Sequence, residues 1–192
     1  MPKTIRTALF GGTFNPLHNG HLTIARSVLE QCLADEVWIL ITPCNPWKTD
    51  QILLDDRIRY DMATEAVKDM EHVFASDYEF RLPKPSYTAN TLRSISNDYP
   101  EREFILTIGA DNWVKFSNWR ESGYILENYR VIVYPRNGFP IESLTGNATL
   151  LDCPLMNISS TQIRQMVKDG VPINEKVPAS VARTIKERNL YL

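Results

Sequence analysis

Apolar, strand-like runs and amphipathic, helical runs alternate along most of the 192 residues, and this order predicts an α/β fold. Two further observations sharpen it. The strand-like runs are short and nearly all apolar, as strands buried on both faces are. The segments between them are long enough for right-handed crossovers. The expected architecture is a Rossmann-like doubly wound parallel sheet with helices on both faces. A small C-terminal helical segment, about residues 158–192, completes a single domain spanning 1–192.

Each element has its own signal. "TALFGG" reads as the first strand. "GHLTIARSVLEQCL" follows as a helix, with Leu22, Ala25, Val28, Leu29 and Leu33 at helical spacing. "EVWILITP" is a second buried strand stopped by Pro43. Asp55 and Asp56 place carboxylates at the start of the helix "DDRIRYDMATEAVKDM". "VFASDYEF" is a third strand, and "SYTANTLRSISNDY" a helix behind a turn. "EFILTIGAD" is a fourth strand that enters a glycine-containing loop, and "YRVIVYPR" a fifth. The polar stretch from Asn137 to Thr149 reads as a surface excursion inside the domain. "SSTQIRQMVKDG" starts like a capped helix and ends on Gly170, and "PASVARTIKERNLY" is the terminal helix.

Composition narrows the function classes. The net charge of -2 argues against a broad basic surface for a nucleic acid polymer, and a small anionic ligand fits better. No run approaches the roughly 18 apolar residues of a membrane helix, and the opening "MPKTIRTALFGG" is too short in apolar residues for a signal peptide. Cys32, Cys44 and Cys153 match no zinc spacing and read as free thiols of a reducing, cytoplasmic compartment. Whether the chain forms a homo-oligomer is left open by the sequence.

In a doubly wound sheet, ligands sit beyond the carboxyl ends of the strands. There the sequence reads "LFGGTFNPLHNGHLTIA", residues 9–25. A dinucleotide fingerprint needs G-x-G-x-x-G opening the helix directly, but here Pro16 intervenes between Gly12 and Gly20. A Walker loop needs a lysine that is absent. A metal site on His18 and His21 lacks a third ligand nearby, since the remaining histidine, His72, lies in another element. A phosphate cradle remains. Gly11, Gly12 and Gly20 let backbone approach a ligand, and the helix start attracts anions. His18 and His21 can donate hydrogen bonds to phosphoryl oxygens. The bland alternative is a turn with two surface histidines.

"NISSTQIRQ", residues 157–165, is a second anion-friendly helix start. Hydroxyls of Ser159, Ser160 and Thr161 converge there with free backbone N–H groups, and Arg164 follows one turn later. Plain N-capping is the alternative. Two such helix starts in one parallel-sheet domain suit a triphosphate held at both ends. Asp111 in "TIGAD" is placed to accept from ribose hydroxyls, with Gly109 leaving room for the nucleotide. Thr88 and Thr91 lie near the start of the third helix, where free N–H groups attract negative charge.

The tetrad "HNGH" resembles the H-x-G-H motif of the nucleotidyltransferases related to class I aminoacyl-tRNA synthetases. "GGTFNPLHNGHL", "SYTANTL", "GADNW" and "ISSTQIR" together resemble the bacterial nicotinate (nicotinamide) mononucleotide adenylyltransferases. The resemblance runs from Leu9 to Tyr191. It implies an enzyme of NAD biosynthesis that transfers the adenylyl group of ATP to nicotinate mononucleotide, releasing pyrophosphate, with Mg2+ accompanying the ATP. It implies catalytic roles for His18, His21 and Arg164. It assigns ATP contacts to Gly11, Gly12, Thr13, Phe14, Gly20, Gly109, Asp111, Arg136, Ser159, Ser160 and Thr161. Asn15, Lys48, Thr88, Thr91 and Trp119 would meet the mononucleotide, with Trp119 against the pyridine ring. No protein-held metal is implied. Asn15-Pro16 stands where other branches of the superfamily carry an aspartate, which argues against those branches, and one departure stands out: Trp47 in "NPWK" replaces the usual histidine. Nicotinamide mononucleotide, or phosphopantetheine, is the alternative acceptor.

Overall fold

A computed structural model describes residues 4–43 and 53–192. Six parallel strands form one sheet in the order β3-β2-β1-β4-β5-β6. The strands are β1 (Ile5–Gly12), β2 (Glu36–Ile41), β3 (Val73–Ser76), β4 (Arg102–Gly109), β5 (Arg130–Tyr134) and β6 (Ala148–Leu150). The helices are α1 (Asn19–Glu30), α2 (Asp56–Val67), α3 (Thr88–Asp98), α4 (Ala110–Trp113), α5 (Ser122–Asn128), α6 (Ser160–Lys168) and α7 (Ala179–Glu187). The strand order reverses between β1 and β4, which pair in register from Ile5↔Arg102 to Phe10↔Thr107. That reversal opens a crevice at the carboxyl ends of the two strands, as doubly wound sheets do.

The alternation of side chains along the strands builds a core on each face. Ala8 and Phe10 of β1, with Ile39 and Ile41 of β2, pack under Ala25 and Val28 of α1. Leu9, Leu40 and Leu106 point the other way, toward Leu92 and Ile95 of α3. A third apolar cluster joins Ile163 of α6 and Val181 and Ile185 of α7 to Met62 of α2. The C-terminal helices thus rest on the α2 side of the sheet.

Most elements sit where the residue pattern puts them. Asp55 caps α2, its side chain accepting from the backbone N–H groups of Arg57 and Ile58 at 2.9 and 3.4 Å. Gly170 follows α6 with φ +67, a left-handed conformation that glycine adopts without strain. Three expectations need correction. The third strand stops at Ser76, where pairing with β2 ends at Leu40↔Ser76, and Tyr78–Arg81 forms a 3-10 turn that tucks Tyr78 and Glu79 inside. The loop after β4 holds two short helices, α4 and α5, with a 3-10 turn between them at Phe116–Asn118. The excursion after β5 ends in an edge strand, β6, paired with β5 from Val131↔Ala148 to Val133↔Leu150. A three-residue strand with one buried neighbour leaves too little periodicity to read.

Candidate active site

The first glycine turn shapes one wall of the site. After Gly12 the chain takes Phe14 through φ 44 and passes a cis Asn15-Pro16 bond before α1 begins. The Phe14 ring is buried beneath Gly12, where a Cβ would lie 3.1 Å from Phe14 Cζ. Its ring meets Phe10 and His21 edge to face, with centroids 5.5 and 4.9 Å away. Only the backbone of Phe14 is available to a ligand.

His18 is the N-cap residue of α1, and His21 is its third residue. The His18 backbone N–H donates to His21 Nδ1 at 3.2 Å. That bond fixes the tautomer: a ring whose Nδ1 accepts carries its proton on Nε2. The two imidazoles stack with centroids 3.5 Å apart and planes 17° apart. Both are held neutral. Burial, helped by the Arg136 guanidinium, lowers the His18 pKa to about 4. Burial, with His18 and Arg136 beside it, holds His21 well below the ordinary histidine range. Two stacked imidazolium rings would repel, so each ring serves as a neutral donor.

The two helix starts meet. A Cβ on Gly20 would sit 2.9 Å from Ile158 Cγ2 and 3.0 Å from His18 Nδ1, so only glycine lets α1 start against the segment that precedes α6. Ser160 Oγ donates to the Pro16 carbonyl at 2.9 Å, and Arg164 Nη1 donates to the Asn15 carbonyl at 2.8 Å. Ser159 caps α6, its Oγ accepting from the Gln162 N–H at 3.2 Å. Arg164 Nη2 also reaches Thr161 Oγ1 at 3.2 Å. Ser160 and Arg164 therefore clamp the first loop, while the N–H groups of Gly20, Ser160 and Thr161 at the two helix starts have no partner among the described residues.

Arg136, after β5, and Asp111, in α4, face each other at 3.4 Å between Nε and Oδ1. Both atoms are buried without a hydrogen-bond partner among the described residues. The ion pair leaves both atoms able to take a hydrogen bond. Gly109 lies directly below: a Cβ there would come within 2.4 Å of Asp111 Oδ1 and 3.0 Å of the Tyr134 ring.

On the other side of the β1–β4 crevice lies a cavity of about 300 Å³. Gly11, Gly12, Thr13, Thr88, Thr91, Gly109 and Trp119 line it, together with Thr42 and Glu79. The sequence-predicted residues thus fall into two groups. His18, His21, Gly20, Asp111, Arg136, Ser159, Ser160, Thr161 and Arg164 gather around the two helix starts and the end of β5. The threonines and Trp119 surround the cavity, and the glycines of β1 and β4 border both. Trp113 is not in the cavity wall; it stacks on Phe116 and donates from Nε1 to the Ser143 carbonyl at 3.2 Å. Lys48 and Trp47 lie outside the described residues.

Asn15 is placed differently from the mononucleotide contact expected of it. Its side chain is buried, and its Oδ1 accepts from Tyr191 Oη at 2.8 Å and from the Leu54 N–H at 3.4 Å. Two further residues escaped sequence reasoning. Arg59 is 1% exposed and joins the loops after β1 and β2. Its Nη1 donates to the carbonyls of Thr13 and Thr42 at 2.5 and 3.0 Å, its Nε to Leu54 at 3.0 Å, and its Nη2 pairs with Asp56 at 2.5 Å. Glu79 is buried in the cavity wall, and its Oε1 accepts from Thr91 Oγ1 at 2.7 Å. Arg59 is one of several charged residues in "DDRIRYDMATEAVKDM", and nothing in that residue pattern marks its burial. Glu79 sits in what reads as a strand.

The family model described as cytidylyltransferase-like matches residues 9–166. A Bacteroides fragilis protein named "Probable nicotinate-nucleotide adenylyltransferase" is 42% identical over 97% of this chain and 94% of its own length. A Cytophaga hutchinsonii protein of the same name is 43% identical, covering 97% of this chain and 98% of its own. The structure described as Plasmodium falciparum nicotinic acid mononucleotide adenylyltransferase complexed with NaAD shares the fold, with a TM-score of 0.81 over 97% of each chain at 20% identity. This chain belongs to the cytidylyltransferase-like family and, within it, to the nicotinate-nucleotide adenylyltransferases.

Proposed function

We propose that this enzyme makes nicotinate adenine dinucleotide from ATP and nicotinate mononucleotide, with the whole chain acting as one nucleotidyltransferase domain. The observation that carries the reading is the junction of the two helix starts, where neutral His18 and His21, Arg164 and free backbone N–H groups converge beside the β1–β4 crevice. ATP lies with its phosphates there and its ribose near Asp111. The mononucleotide occupies the 300 Å³ cavity, its pyridine ring against Trp119 and its ring substituent toward Thr88 and Thr91.

An oxygen of the mononucleotide 5′-phosphate attacks the α-phosphorus of ATP in line. A new P–O bond forms as the bond to the β-phosphate oxygen breaks, and pyrophosphate leaves. The attacking oxygen is already anionic, so no proton has to be removed. Catalysis then rests on alignment and on donors aimed where charge grows. His21 offers Nε2–H, because its Nδ1 is occupied by the His18 N–H. Arg164 is held by the Asn15 carbonyl, so its position is set before substrate arrives. Mg2+ would accompany ATP and offset part of the triphosphate charge. The groups at the helix starts fit that arrangement, being proton donors and a cation.

Incubation with ATP, Mg2+ and nicotinate mononucleotide should release pyrophosphate and form the dinucleotide. Nicotinamide mononucleotide should turn over more slowly. No pyrophosphate with either mononucleotide overturns the reaction, and equal turnover overturns only the preference.

A further inference from the structure

The mononucleotide cavity contains one carboxyl group that the reaction does not use. Glu79, in the 3-10 turn after β3, is 6% exposed, and its Oε2 is buried without a hydrogen-bond partner among the described residues. Its Oε1 lies 2.7 Å from Thr91 Oγ1. Thr91 is 2% exposed and lines the same cavity. A buried carboxylate beside a pocket for a carboxylate ligand is unfavourable unless its own charge is managed.

A threonine hydroxyl has one proton to give. When Glu79 is ionised, Thr91 donates that proton to Oε1 and turns its lone pairs toward the cavity. The pocket then offers an acceptor, which suits the N–H of a carboxamide. When Glu79 carries a proton on Oε1, it donates to Thr91 Oγ1. The Thr91 proton is then released from Glu79 and can be given to a ligand carboxylate; its other acceptor, the Tyr87 carbonyl, is farther, at 3.4 Å. We propose that Glu79, acting through the Thr91 hydroxyl, is the positioning residue that sets the acid-over-amide choice of the cavity. This rests on the reading that the cavity holds the pyridine substituent.

The surroundings shift the carboxyl toward its protonated form. Burial pushes the Glu79 carboxyl above its ordinary range, and the Thr91 and nearby Thr42 hydroxyls only partly offset this. Neighbouring charges are engaged elsewhere. On its own turn, Tyr78 Oη donates to Asp98 of α3 at 2.8 Å, and Arg81 reaches the same carboxylate at 3.4 Å. Arg59 of α2 is turned to backbone carbonyls and Asp56. Lys84 pairs with Asp56 at 3.7 Å. From β2 and α3 the groups that meet Glu79 are the hydroxyls of Thr42 and Thr91.

The test is the ratio of kcat/KM for nicotinate mononucleotide over that for nicotinamide mononucleotide, measured against pH. Both substrates carry the same 5′-phosphate, so its titration cancels in the ratio. In the natural protein the ratio should fall by about tenfold or more as pH rises through the range in which the carboxyl loses its proton. In Glu79→Gln, which keeps the shape and cannot ionise, the ratio should stay within about twofold over the same range. Thr91→Val removes the relay hydroxyl and should flatten the profile as well, which keeps the test decisive if one variant folds poorly. A Glu79→Gln profile that follows the natural one, or a flat natural profile, overturns the proposal. If the variants change KM for ATP and leave both mononucleotides untouched, the cavity assignment itself fails.

Discussion

Tyr191 Oη donates to Asn15 Oδ1 at 2.8 Å, joining the penultimate residue of the chain to the loop between β1 and α1. Both groups are buried. The same loop takes Arg164 on the Asn15 carbonyl and Ser160 on the Pro16 carbonyl. The C-terminal helices therefore act as a brace for the first loop. Tyr191→Phe removes the donor and keeps the ring. It should cost about 1–2 kcal/mol in urea denaturation, because a buried hydrogen bond to Asn15 Oδ1 is lost. Turnover should fall with it, since Arg164 and the loop it holds share that anchor; an unchanged unfolding midpoint would dismiss the brace.

Arg59 makes a stronger prediction. Its guanidinium satisfies the carbonyls of Thr13, Thr42 and Leu54 from a site with 1% exposure, and its charge is met by Asp56. Arg59→Met fills similar volume but leaves the carbonyls of Thr13, Thr42 and Leu54 without this donor and takes from Asp56 its nearer cation, Lys84 staying at 3.7 Å. Breaking such a buried pair should destabilise by about 3–5 kcal/mol. Arg59→Lys should recover only part of this, because an ammonium cannot reproduce the planar fork. Equal stability of the Lys variant and the natural protein, read from urea midpoints, would contradict the role of the fork.

What the residues alone disclose, and what they hide, follows from range. The helix starts at His18 and Ser159 are local devices, so glycines, hydroxyls and histidines announce them in a few residues. The strands that carry them are buried on both faces and give unbroken apolar runs. Arg59, Glu79 and Tyr191 matter through partners 12–176 positions away, and nothing beside them in the chain marks those partners. The same holds for the division of the candidates. The spacing of Thr13 and His18 gives no sign that one lines the cavity and the other the helix junction. Register along β1 and the φ 44 turn at Phe14 decide that.

The neutral histidines give stability a pH dependence with a definite sign. The folded pKa of His18 is lowered to about 4 from an ordinary 6.5. Between those values the unfolded chain binds the proton and the folded one does not. Stability from this group is therefore complete above about pH 6.5 and is lost as pH falls toward about 4, by up to about 3 kcal/mol. His21, lowered in the same direction, adds to the slope. Urea midpoints measured from about pH 7 down to about pH 4 should fall, and the fall should be shallower in His18→Gln. An identical slope in the variant would mean that His18 is solvated in solution.

Gly109 tests the nucleotide side of the crevice. A methyl group there would collide with Asp111 Oδ1 at 2.4 Å and with the Tyr134 ring at 3.0 Å. The side chain of Asp111 is the softer neighbour and would be displaced from Arg136. Gly109→Ala should therefore raise KM for ATP by about tenfold or more while leaving KM for the mononucleotide within a few-fold, given what a shift of about 1 Å costs an aligned site. A larger effect on the mononucleotide would move Asp111 to the other substrate.

His21 carries the sharpest kinetic prediction, because its geometry separates donation from binding. Its Nδ1 is committed to the His18 N–H at 3.2 Å, which leaves Nε2–H as its one donor. Phe10 and Phe14 hold the ring edge to face, with centroids 5.8 and 4.9 Å away, so the donor is preoriented. A preoriented neutral donor gains most when charge builds on phosphoryl oxygens during P–O cleavage, and little in the ground state. His21→Ala should lower kcat by about 10²–10³ and shift KM for ATP by only a few-fold. Asn in place of His21 offers an amide donor at a shorter reach and should recover part of kcat. A variant that raised KM and spared kcat would make His21 a ground-state anchor, and the charge stabilisation would then fall to Arg164 and the α6 helix start.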